Sequence, residues 1–98
     1  MVYSIKINKR ALGDIQKALN RYDKIDTSIG DKFQKNLDKT IIAITSNPFF
    51  QIRYSDVRCL LITKFPYMIH FQVNEKKNLV VIRAVTNTSK DPKTNWIK

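Results

Sequence analysis

Cations dominate the residues that could do chemistry. Eighteen lysines and arginines stand against eight aspartates and glutamates, a formal charge of +10 over 98 residues, beside one histidine (His70) and one cysteine (Cys59). His70 can serve as an acid or a base, because its ordinary pKa lies near 6.5. Arg58, Lys64 and Arg83 can hold anionic groups. Each also has a plain structural role. His70 can be a sheet residue bonded to a neighbour or to water, and Arg58 can bond carbonyls at a helix end or pair with Asp56. Arg83, alternating with Val81 and Val85, can lie beneath helix ends with its stem buried. Cys59 sits inside an apolar alternation and reads as a small core residue. A Cys59–His70 pair is set aside, because the two side chains can fall on opposite sheet faces. Trp96 reads as an anchor for the tail or as a stacking surface.

Several chemistries drop out. One His and one Cys cannot assemble a zinc site from the usual ligands. Gly13 and Gly30 are the only glycines, so no glycine-rich loop can cradle phosphates. Cys59 has no partner for a disulfide, which suits a reducing compartment. The first ten residues carry no apolar core of signal-peptide length. The longest aliphatic run, Ile41–Ile44, is far short of the roughly 20 residues that span a bilayer. The expectation is one soluble cytoplasmic domain over residues 1–98 with polyanionic or acidic partners.

The elements that must position these residues follow from periodicity. Residues 2–7 alternate as a strand, with Tyr3, Ile5 and Ile7 on one side. Asn8 can cap a helix whose stripe is Ala11, Ile15, Leu19 and Tyr22, opposite Lys9, Asp14, Lys17 and Arg21. A second helix is expected from Ser28, with Asp31 completing a weak capping box. Its stripe is Ile29, Phe33, Leu37, Ile41 and Ile44, and Asn47-Pro48 stops it. Residues 57–65 then alternate with Arg58, Leu60, Ile62 and Lys64 on one face. A further strand follows over Tyr67–Val73, and the polar loop Asn74–Asn78 joins it to Leu79–Val85. The result is an α+β domain, β-α-α-β-β-β, with a helical hairpin on a mainly antiparallel sheet.

The chain also resembles a known family. The pieces are Ala11-x-x-Asp14-Ile15, Gly30-Asp31-Lys32-Phe33 with Leu37, and Ile44-x-x-Asn47-Pro48. Tyr54-x-x-Val57-Arg58, Phe65-Pro66-Tyr67-x-Ile69-x-Phe71 and Val80–Val85 continue the series, and Asn87–Pro92 with Trp96 completes it. In order and spacing they resemble the RelE/ParE superfamily of toxins from type II toxin–antitoxin systems. The resemblance implies a toxin that inhibits growth and is neutralised by a cognate antitoxin. It implies one of two targets: mRNA on the ribosome, cut without a metal or cofactor, or DNA gyrase, poisoned by binding.

RNA cleavage without a metal needs a base for the 2′-hydroxyl, cations for the phosphorane and an acid for the leaving oxygen. By the resemblance, the usual strand arginine falls on Met68, which cannot clamp a phosphate. A later basic position falls on or near Lys90, which keeps charge without the guanidinium fork. The usual C-terminal acid/base falls near Asn87 or Trp96, neither of which titrates usefully. A nuclease would therefore rely on Arg58, Lys90 and His70, with Lys64, Arg83 and Trp96 as binding residues. Charge favours the sheet half: residues 51–98 hold nine basic and three acidic residues (+6), residues 1–50 nine and five (+4). On these grounds gyrase is slightly preferred to the ribosome, with a non-toxic nucleic-acid-binding module as a third reading.

Overall fold

A computed structural model describes residues 3–88. The elements are β1 (Ser4–Ile7), α1 (Lys9–Ile25), α2 (Thr27–Ser46), β2 (Ile52–Tyr54), β3 (Val57–Leu61), β4 (Tyr67–Asn74) and β5 (Leu79–Asn87). They form an α+β fold with one five-stranded sheet in the order β1-β5-β4-β3-β2. From β2 to β5 the strands run as an antiparallel meander, and β1 closes the far edge parallel to β5. The meander holds one strand more than the sequence pattern suggests. Ile52–Tyr54 has only three residues and no clear alternation, so periodicity does not reveal it. Among the described residues, no helix is long and apolar enough to cross a membrane.

The helices form as the stripes require. Ala11, Ile15 and Ala18 of α1 are buried, and Leu19 and Tyr22 pack against the core beside them. Asn8 does precede α1, but its side chain makes no capping bond. Instead its backbone N–H donates to the Ile82 carbonyl, which ties the helix start to β5. α2 opens one residue before the expected Ser28, and the cap is Asp26, whose carboxylate accepts from the Ser28 N–H at 2.9 Å. Asp26 also ends α1, its own N–H donating to the Tyr22 carbonyl. One extended residue therefore serves both helix ends, and the hairpin needs no longer connection.

The helical hairpin covers one sheet face. Phe33, Leu37 and Ile44 of α2 meet Ile69 and Phe71 of β4 and Val80, Ile82 and Val85 of β5 in a single apolar core. At one end Tyr22, Phe33, Phe65 and Tyr67 form an edge-on aromatic cluster, with ring centroids 5.1 Å apart for Tyr22–Phe65 and 5.2 Å for Phe33–Phe65. Such offset geometry adds to simple area burial.

Two strands depart from regular geometry. β3 stops at Leu61, short of the expected residue 65. Ile62 donates to the Tyr67 carbonyl, and Phe65 folds back onto the Ile62 carbonyl. Lys64 therefore lies in a tight turn with φ +68°, not on a strand face shared with Arg58. In β5, His70 faces Ala84 while Phe71 faces Ile82, so Arg83 is one extra residue, a β-bulge. The bulge resets the alternation. Ile82 and Val85 both reach the helix-side core, and Arg83 is left exposed rather than beneath a helix end.

Candidate functional site

Cross-strand pairing decides which side chains share a face. Arg58 lies opposite Phe71, Cys59 opposite His70, Leu60 opposite Ile69 and Leu61 opposite Met68. Phe71, Ile69 and Leu60 belong to the helix-side core. Cys59, Met68 and Val57 pack together with Tyr54 in a separate cluster on the outer face. Since directly opposed residues point the same way, Cys59 and His70 share the outer face, contrary to the sequence expectation. Arg58 points to the other side.

His70 is the centre of the outer face. It is only 1% exposed. Its Nδ1 lies 3.1 Å from the Tyr54 hydroxyl and 3.3 Å from Cys59 Sγ, and its Nε2 lies 2.8 Å from Thr86 Oγ1. One tautomer accommodates all three contacts: Nδ1 accepts from the phenol and the thiol, and Nε2–H donates to Thr86. Burial pushes the His70 pKa down, and the positive charge of Arg10 pushes it further, with Asp14 opposing. The imidazole is therefore held neutral. Desolvation also raises the Tyr54 phenol and lifts the Cys59 thiol to about 11. A nucleophile needs its thiolate, so Cys59 is inert near neutral pH.

Three arginines extend their field to this cluster. Arg83 and Arg10 both lie close enough to Tyr54 to oppose the rise of its pKa, and Arg53 does the same for Cys59. Arg10 is positioned by Asp14, 3.9 Å away and one helical turn on. Asp14 is not simply a wet-face residue, since its carboxylate also accepts the Val85 N–H at 3.0 Å. β1 stops pairing at Ile82, and this side chain satisfies a β5 donor just past the end of the ladder.

The sequence-predicted residues scatter. Arg58 Nε donates to the Phe50 carbonyl at 2.7 Å, and its guanidinium lies 5.3 Å from the centre of the Phe49 ring. It pins the chain between α2 and β2 on the helix side, bonding a carbonyl of this connection rather than one at a helix end as expected, and Asp56 takes Gln72 instead. Lys64 is at the β3–β4 turn, while Arg83 does reach the outer face. Lys90 and Trp96 lie outside the described residues. Met68 is buried in the outer cluster, and Asn87 is half-buried opposite Tyr67. Sequence reasoning missed Tyr54, Thr86, Arg10 and Arg53 as members of this face. The usable signal was Thr86, which continues the β5 alternation after Ala84. Among the described residues, no group of His, Cys, Asp and Glu is arranged to hold a metal.

The outer face thus offers a half-apolar floor with a cationic rim and a neutral, enclosed imidazole. That combination suits recognition. It supplies no exposed proton donor or acceptor at its centre.

No protein-family model and no curated protein matches the sequence. Solved structures do match the fold. A chain of the chromosomal ParDE toxin–antitoxin system of Pseudomonas aeruginosa superposes with a TM-score of 0.73 at 15% identity, over 88% of this chain and 96% of that one. The fold is that of the RelE/ParE toxins. The isolated RelE toxin of Escherichia coli superposes with a TM-score of 0.61 at 16% identity, over 95% and 92% of the two chains. A chain of the Mycobacterium tuberculosis RelBE2 toxin–antitoxin complex gives 0.60 at 12% identity, over 89% and 99%. In this RelE/ParE fold the face left open by the two helices is the one that carries His70.

Proposed function

We propose that this chain is the toxin of a type II toxin–antitoxin pair, neutralised by a cognate antitoxin, and that it inhibits DNA gyrase by binding rather than by cutting RNA. The observation that carries the second part is the enclosure of His70. Metal-free RNA cleavage needs an acid and a base that reach the 2′-hydroxyl and the leaving oxygen. The single histidine is buried, neutral and held by Tyr54, Cys59 and Thr86. Arg58, the strongest phosphate-clamp candidate, is on the opposite side of the sheet, and buried Met68 offers no charge. What remains is a partly apolar floor under the positive field of Arg10, Arg53 and Arg83. Such a surface fits a macromolecular target and equally the acidic antitoxin segment that would mask it.

A supercoiling assay with purified gyrase tests the target. The expected result is loss of supercoiling with accumulation of cleaved DNA–gyrase complex, and absence of both overturns the gyrase assignment. Toeprinting on translating ribosomes is the counter-test, because A-site cuts lost in His70→Ala would establish a nuclease instead. The toxin role is tested separately by induced expression. Growth should stop, and co-expression of a neighbouring acidic reading frame should restore it. Unaffected growth would leave a non-toxic nucleic-acid-binding module.

A further inference from the structure

A second cationic site lies away from the outer sheet face. Lys32, Lys35, Asn36 and Lys39 of α2 form one wall of a cleft of about 330 Å³, and Lys64 with Phe65 of the β3–β4 turn forms the other. The three helix lysines are three and four residues apart, so they stand in one row, spaced about 4.5 and 6 Å along the axis. None of the four lysines forms an ion pair among the described residues. Lys32 reaches only as far as a long-range influence on Asp26, and Asp38 is engaged by Gln34. Four like charges around one cleft repel, and no close ion pair within the described chain neutralises any of them.

The backbone supplies an independent observation. Lys64 occupies the third position of the turn Ile62–Phe65 with φ +68°. Turns with positive φ at that position favour glycine, and a lysine there is strained. The strain places a fourth ammonium across from the α2 row, where a glycine would place none.

We propose that this cleft binds the sugar–phosphate backbone of a nucleic acid, separately from the target surface on the outer face. The cations are all lysines, compact point charges, and the α2 lysines repeat regularly along one face, as phosphates repeat along a nucleic-acid strand. Phe65 gives the floor an apolar surface against which a sugar or base can rest.

The test is fluorescence anisotropy of a labelled duplex DNA oligonucleotide with the full chain over a range of salt. The logarithm of the wild-type affinity should fall linearly with log salt. K32Q/K35Q/K39Q should lower the magnitude of that slope by about 2–3 and weaken binding about tenfold or more at low salt. K6Q/K9Q/K77Q removes the same charge from β1, the start of α1 and the β4–β5 loop, away from the cleft, and should have a markedly smaller effect. K64G should raise the thermal midpoint, because it relieves the positive φ, and yet weaken binding. Circular dichroism melts confirm that each variant folds. Equal losses in the two triple variants overturn the proposal by showing diffuse attraction. So does K64G binding like wild type, absence of DNA binding by the wild type, or displacement of the DNA by polyglutamate at charge-equivalent concentration. No arm uses gyrase or ribosomes, so the proposal fails or stands independently of the target assigned above.

Discussion

The two faces of the sheet solve burial in different ways. On the helix side, Phe33, Phe71, Ile69, Val80 and Ile82 are enclosed by like neighbours, and packing alone specifies the arrangement. On the outer side, Met68, Cys59 and Val57 make a smaller apolar patch, and the residue at its centre is an imidazole satisfied by three polar side chains. No element of the described chain is laid over this second face as the helices are over the first. The difference teaches where stability and recognition separate in this molecule. The covered face holds the fold together, and the open face has kept polar groups whose hydrogen bonds are met internally while its arginines stay at the rim.

Substitutions can break or sharpen that contrast. The largest effect is expected at Phe33, fully buried and packed against three aromatic rings. Phe33→Ala should cost about 3–5 kcal/mol in urea unfolding. A loss no greater than that of any outer-face substitution would erase the distinction.

His70→Leu comes next. It keeps the volume but leaves the Tyr54 and Thr86 hydroxyls and the Cys59 thiol without their common partner, at a cost of about 1–3 kcal/mol. It should also change the response to pH. The folded-state pKa of His70 is depressed, so as pH falls the unfolded chain takes up this proton first. The stability from the neutral imidazole is complete above about pH 6.5 and is lost as pH falls from there toward the folded-state value. Wild type should therefore lose stability below pH 6.5 more steeply than the variant, and parallel profiles would show that His70 titrates normally.

Gly13 is a smaller probe. It sits inside α1, and a methyl group there would meet no atom within 4 Å. Gly13→Ala should stabilise the fold by about 0.8–1.0 kcal/mol through helix propensity alone. Chemical unfolding with an unchanged m-value would confirm that neither face has altered. The smallest effect belongs to Leu61, opposite Met68 on the outer face but 53% exposed. Leu61→Thr should change stability by no more than about 0.5 kcal/mol, marking where the outer cluster ends. A loss comparable to that of His70→Leu would extend the cluster over the whole face.

Much of the covered face was legible in the residues. The stripes Ala11–Ile15–Tyr22 and Phe33–Leu37–Ile44 and the alternation of β4 report burial directly, because helix and strand periods differ. The outer face was not, for three physical reasons. The relation of Cys59 to His70 depends on the β3–β4 register, which the alternation within either strand leaves open. The orientation of Arg83 depends on a bulge that changes the phase of β5. One of the hydrogen bonds of His70 depends on Tyr54, carried by a strand too short to show a period. The cap of α2 lies two residues before Ser28. Asp26 and Ser28 are both good caps, and only the bond from the Ser28 N–H to the Asp26 carboxylate distinguishes them.

The edge pairing of β1 has a further consequence in time. Ser4 finds its partner in Leu79, 75 residues later, and Ile7 in Ile82. Contacts between segments this distant close large loops and form slowly. During synthesis the first strand and both helices emerge while the strand that joins them to the rest of the sheet is still unmade. The binding surface, whose Thr86 and Arg83 also belong to that last strand, therefore comes into being only as the chain nears its described end. A nascent chain interrupted before β5 would carry the cationic helices but no assembled His70 cluster, and so would be sticky without being specific.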